Sequence, residues 1–172
     1  NVSNTGIATL NESMLPNTIT SLVASKNDID SYDTSLYKPQ LEILTLSNNR
    51  IDDSFNENDL KINSPNLREL RLISNNLTTF DLRSLPSQLE VLDISSNEIT
   101  TAPSNAYGTT GDLPTYLREL NISKNSFGNT FHFNRLPPNL EVLVAVKSGL
   151  TSANADFDLL PNTITILSLG SG

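Results

Sequence analysis

Apolar residues fall along this chain in a recurring order, clearest as Leu41-x-x-Leu44-x-Leu46-x-x-Asn49-x-Ile51. The order returns at Leu67/Leu70/Leu72/Asn75/Leu77, Leu89/Leu92/Ile94/Asn97/Ile99 and Leu117/Leu120/Ile122/Asn125/Phe127. Looser copies are Ile19/Leu22/Ala24/Asn27/Ile29 and Leu140/Leu143/Ala145/Ser148/Leu150. Partial copies stand at Val2/Thr5/Ile7 and Ile164/Leu167/Leu169. Successive copies begin about 22–28 residues apart, the spacing of architectures in which one unit stacks on the next. Within each copy the apolar-x-apolar pair has the two-residue period of a strand, so Leu44 and Leu46 point inward and Thr45 points out. One such strand buries too little to stand alone. Stacked copies solve this, and because every connection crosses back over the same side, their strands run parallel.

The repeated Asn sits where each strand turns away. There its amide is expected to bond backbone groups of its own and the next turn, a buried ladder through Asn27, Asn49, Asn75, Asn97 and Asn125; pairing both ends of the amide makes its burial tolerable. A second apolar row is supplied by Tyr32 and Leu36, Phe55 and Leu60, Phe80 and Leu82, Phe131 and Phe133, and Phe157 and Leu160. Leu-Pro steps at Leu15-Pro16, Leu85-Pro86, Leu113-Pro114, Leu136-Pro137 and Leu160-Pro161 remove a donor and favour extended geometry before the next strand.

These residues resemble the leucine-rich repeat family over essentially the whole chain. The phrase Leu-Pro-x-x-Leu-x-x-Leu is similar to the bacterial subtype, although the insertions between Ile51 and Leu67 and between Ile99 and Leu117 exceed that subtype's short, uniform units. The resemblance implies an α/β-type solenoid (the leucine-rich repeat horseshoe). Its parallel β-sheet lines the concave face, and its convex side is mostly irregular or short 3₁₀. It also implies a non-enzymatic module for protein–protein or protein–glycan recognition through the exposed concave sheet. Secreted effectors and surface proteins carry this subtype, so the expected setting is extracellular or on a cell or virion surface, with adhesion as one role. A secreted effector acting in a host cytosol is the alternative.

Residues 1–172 read as a single leucine-rich repeat domain of about seven repeats with both ends partial, a processed chain or a piece of a larger one. Flanking repeats would then be among its partners. The two ends are in phase, Val2 to Thr5 matching Leu169 to Gly172, and neither carries a polar cap. Such ends permit self-association, head-to-tail or lateral, into a fibre.

Parallel stacking brings equivalent positions of neighbouring repeats about 4.8 Å apart, so the outward residues are read in columns. The column after the first Leu runs Thr20, Glu42, Arg68, Glu90, Arg118, Glu141, Thr165. Its alternating signs read as a register-fixing ladder or as a charged recognition stripe. The next column runs Ser21, Ile43, Glu69, Val91, Glu119, Val142, Ile166, and the one between the strand leucines Val23, Thr45, Arg71, Asp93, Asn121, Val144, Ser168. Val142, Val144 and Val146 face outward beside Ile166. They read as a contact patch or simply as strand-favouring residues. With the polar Arg71, Asp93 and Asn121 they form the candidate binding set.

Composition narrows the chemistry. A formal net charge of −8 without a basic cluster argues against nucleic acid and anionic membranes. The absence of cysteine removes disulfides, thiolate metal sites and cysteine nucleophiles. No apolar run approaches the roughly 20 residues needed to span a bilayer. His132, the one histidine, has no evident Ser/Asp partners, so no catalytic residues are assigned. The acidic groups Asp28/Asp30/Asp33 and Asp52/Asp53/Glu57/Asp59 lack calcium-loop spacing and read as solvated convex surface, so no metal or cofactor is expected. Asn-x-Ser/Thr sequons occur at Asn1, Asn11, Asn76 and Asn121, the last on the strand face.

Overall fold

A computed structural model describes residues 1–11, 15–101, 113–128, 130–151 and 156–170. Seven short strands recur once per repeat: β1 (Ser21–Val23), β2 (Ile43–Thr45), β3 (Glu69–Arg71), β4 (Val91–Asp93), β5 (Glu119–Asn121), β6 (Val142–Val146) and β7 (Ile166–Gly170). They form one parallel sheet in sequence order. The register aligns Leu22, Leu44, Leu70, Leu92, Leu120, Leu143 and Leu167 as a single row. A one-residue slip would turn that row out to solvent, so burial of the leucines sets the register. From Leu22 to Leu143 the row is buried, while Leu167 stays 39% exposed because no described coil packs beyond β7.

Each asparagine of the ladder ties two turns together, but it reaches back rather than forward. Asn49 Nδ2 donates to the carbonyls of Leu46, in its own turn, and Ala24, in the preceding one, at 2.8 and 3.0 Å, while its Oδ1 accepts the N–H of Ile29. Asn75, Asn97 and Asn125 repeat the arrangement. Asn27 does the same from the first full repeat, half-buried, against Val2 and Ile7. The carbonyl just past each of β1 to β4, such as Leu46 O, accepts from the asparagine of its own repeat, here Asn49, and from that of the following one, here Asn75. In the sixth repeat Ser148 takes the place of asparagine, and its Oγ donates within its own turn to Ala145 O at 2.7 Å, while its backbone carbonyl accepts the N–H of Phe127 from the preceding repeat.

The residue before each ladder position turns the chain inward through the left-handed region. Lys26, Asn48, Ser74, Ser96, Lys124 and Lys147 all have φ between 53° and 56°. For an L-residue that conformation costs about 1–2 kcal/mol. Lys124→Gly is therefore expected to raise stability by about 0.5–1 kcal/mol in urea unfolding, the relief of strain exceeding the extra freedom of glycine in the unfolded chain. Lys124→Val should lower it. Asn48→Gly should gain less, since asparagine tolerates the left-handed region.

The Leu-Pro steps act as turns as well as breakers. The carbonyls of Pro16, Pro86, Pro114, Pro137 and Pro161 accept the N–H of the first apolar residue of the next repeat, and Lys38 and Ser64 do so where proline is missing. On the convex side lie 3₁₀ turns at Thr34–Leu36, Phe133–Arg135 and Phe157–Leu159. Within this mostly irregular and 3₁₀ convex side the insertion after Ile51 folds as one short helix, α1 (Glu57–Asn63). Asn56 caps it by accepting the N–H of Asp59 at 3.0 Å, and Leu60 anchors it in the core. Most of the other long insertion, residues 102–112, lies outside the described residues, as do Ser171 and Gly172 of the in-phase ends.

The second apolar row is buried from Tyr32 to Phe133 and gives out at Phe157, which is 59% exposed. Phe157 meets Phe133 edge-on, with ring centroids 6.0 Å apart, and no described coil covers its other side.

Candidate functional site

The sheet register brings side chains from four strands together on its open face. Arg71, Asp93, Asn121 and Val144 are successive partners across β3 to β6, and Val91, Glu119 and Val142 form the adjacent column. Between them opens a pocket of about 140 Å³ lined by all seven residues over a floor of Leu92 and Leu120. Five of the sequence candidates thus meet: Arg71, Asp93, Asn121, Val142 and Val144. Val146 lies further along β6, half-buried opposite Gly170, and Ile166 stands exposed on β7 opposite Val142; neither lines the pocket. Val91 and Glu119 line it without having been singled out from the sequence. The signal was their place in the same column as Val142.

The polar members are held by specific bonds. Arg71 Nε pairs with Glu69 Oε1 at 2.7 Å, both groups about two-thirds or more covered. The buried Asp93 accepts the Ser95 N–H at 3.0 Å and its hydroxyl at 2.6 Å through Oδ1, and Asn121 Nδ2 at 2.9 Å through Oδ2. Asn121 Oδ1 in turn accepts the N–H of Ser123 at 3.1 Å. A glycan on the Asn121 sequon would take the nitrogen that bonds Asp93 and would fill the pocket.

The outer charged column resolves into two pairs instead of a continuous alternation. Arg68 bonds Glu90 at 2.6 Å and Arg118 bonds Glu141 at 3.1 Å. An arginine flanked by two glutamates bonds one of them here, and in both cases it is the following repeat's. Each pair is at least 37% exposed on either side, so each contributes at most a few tenths of a kcal/mol. Glu42 leads the column without an ion pair among the described residues.

On the convex side the acidic groups mostly serve the backbone. Asp52 and Asp33 cap turns by accepting the N–H of Ser54 and Ser35, and Asp53 accepts the N–H groups of Thr78 and Thr79 from the next repeat and the Thr78 hydroxyl. These bonds hold the three carboxyls below the usual aspartate range. Asp28 pairs with Arg50 at 2.8 Å. Among the described residues no three His, Cys, Asp or Glu side chains are grouped to hold a metal ion. His132 is half-buried ahead of a 3₁₀ turn and its carbonyl accepts the N–H of Arg135.

Glu57 behaves oppositely. Burial of its carboxyl at the start of α1, near Asp81 and Asp53, pushes its pKa up to about 7, although the Asp81 N–H bonds it at 3.0 Å. A carboxyl that holds its proton more tightly when folded favours folding fully below the unfolded value near 4.5, and that contribution is lost as pH rises through 7. The loss is on the order of 2 kcal/mol. Glu57→Gln should therefore flatten the stability profile between pH 5 and 8, with its gain at the alkaline end. Equal pH dependence in variant and parent would refute this.

Comparison with known proteins agrees with the repeat architecture. The model of the Leucine Rich Repeat family matches residues 88–109, the repeat that contributes β4 and Asn97. YopM from Yersinia enterocolitica WA-314 is similar in structure over 91% of this chain and 38% of its own, with a TM-score of 0.55 and 26% identity. The chain belongs to the leucine-rich repeat family. Bovine Toll-like receptor 6 is 32% identical over 146 residues, covering 79% of this chain and 17% of that receptor. An immunoglobulin domain and leucine-rich repeat-containing protein of Caenorhabditis elegans is 27% identical over 167 residues, 84% of this chain and 20% of that protein. This leucine-rich repeat chain therefore spans about a fifth of the length of the curated relatives it matches. Leucine-rich repeats are commonly protein–protein interaction modules. Among the described residues no helix is long and apolar enough to cross a membrane.

Proposed function

We propose that this leucine-rich repeat chain is a binding module that recognises a protein partner on the open face of its sheet, centred on the pocket across β3 to β6. The observation that carries this reading is the meeting of half-buried valines with fixed charged and amide groups in one depression. Such a mixture suits a protein surface, where an apolar centre supplies burial and a few placed polar groups supply specificity. A glycan is less well served. The outward columns contain no aromatic ring on which a sugar could stack.

The test replaces Val142, Val144 and Val146 with threonine. Threonine keeps the β-branched shape, and all three side chains are half-buried, so folding should survive with a loss of no more than about 1 kcal/mol. Immobilised parent and variant would be compared as baits by quantitative mass spectrometry. Partners held by the parent are expected to be lost from the variant. An unchanged captured set from a folded variant would place the site elsewhere.

A further inference from the structure

We propose that the pocket receives a lysine or arginine side chain of the partner protein, its aliphatic stem over Val91 and Val142 and its cationic head at Glu119. The inference rests on the recognition reading above and names the chemistry that the pocket selects. Its first support is size. About 140 Å³ is well under the roughly 300–1,000 Å³ of small-molecule sites, and suits one inserted side chain.

The second support is the state of Glu119. Its carboxylate stands on β5 with Val91 on one side and Val142 on the other, exposed, and without a hydrogen bond or ion pair among the described residues. The cations of this face are committed elsewhere: Arg71 to Glu69, Arg68 to Glu90 and Arg118 to Glu141. Of the residues lining the pocket, Asp93 and Glu119 are negative and Arg71 alone is positive, and Arg71 is already paired with Glu69 outside the lining. A partner that covered the valines would strip water from Glu119. Burying an unpaired carboxylate is costly, so the partner must bring a positive charge to that spot or pay the desolvation. A long aliphatic stem ending in a cation satisfies the valines and the carboxylate together. The net charge of −8 adds long-range attraction for such a partner.

The test selects displayed random 12-residue peptides on the parent chain and on Glu119→Lys. The parent is expected to enrich peptides with lysine or arginine beside aliphatic residues, and Glu119→Lys to enrich acidic ones instead. For a synthetic peptide from the parent selection, Glu119→Gln should weaken binding about tenfold, as should acetylation of the peptide's lysine. Melting curves of the exposed-site variants confirm that they fold. Peptides without basic enrichment, or affinity indifferent to Glu119→Gln, overturn the inference. If such peptides are still lost from the Val142/Val144/Val146 threonine variant, the recognition reading survives that failure. If that variant binds them as the parent does, or no peptide is selected at all, both fail.

Discussion

Replacing Asn97 with alanine is expected to destabilise this protein by about 3–4 kcal/mol, measured by urea unfolding at neutral pH. Asn97 Oδ1 accepts the buried N–H groups of Asn75 and Leu77, both at 3.2 Å, and its Nδ2 donates to the carbonyls of Leu72 and Ile94. The two carbonyls keep a second donor, from Asn75 and Asn125 respectively. The two N–H groups lose the bond Asn97 supplied, and a buried donor left without a partner costs about 1–3 kcal/mol. Asn97→Asp should be worse still at pH 7, where its second oxygen would face two carbonyls, and should recover in part near pH 4 as a proton restores a donor. Asn27 is only half-buried, so its replacement should cost less. A loss below about 1 kcal/mol for Asn97→Ala would mean that the ladder is dispensable.

Phe80→Ala is the second large effect, about 3–5 kcal/mol of lost stability. Phe80 is 1% exposed and stacks on Phe55 with centroids 6.5 Å apart, at one end of a chain of rings that continues through Tyr37 and Tyr32. Removing it leaves a cavity between consecutive repeats, which the coils cannot close because the sheet holds their spacing near 4.8 Å. Phe157→Ala is the matched control. That ring is 59% exposed, so its removal should cost less than about 1 kcal/mol. Similar losses at the two positions would refute the reading that the convex ring row stabilises by burial.

The difference between these two phenylalanines shows how far pattern reasoning reached. Both hold equivalent places in the second apolar row, and sequence alone does not distinguish them. What separates them is whether a neighbouring coil packs on each side. The left-handed turn residues were likewise absent from the sequence reading, because Lys26, Asn48, Ser74 and Ser96 share no side-chain chemistry beyond being polar. A backbone angle imposed by geometry tolerates many residues, so it leaves a faint trace. The helix α1 did leave a local signal in the Asn56 cap and Asp59, but it was hidden inside an insertion that lacks the repeat's period.

By itself the sequence determined the parallel solenoid, the inward leucine row, the alignment of the columns and the outward direction of the valines. Those follow from a two-residue period repeated at close intervals, because only one register buries every leucine at once. Only the tertiary structure decided which outward residues share a pocket and which charges pair. It also decided that Glu119, set between two valines in its column, is left unpaired among the described residues. Such contacts depend on side-chain conformations and on residues about 22–28 positions away in the chain. Local pattern does not encode them.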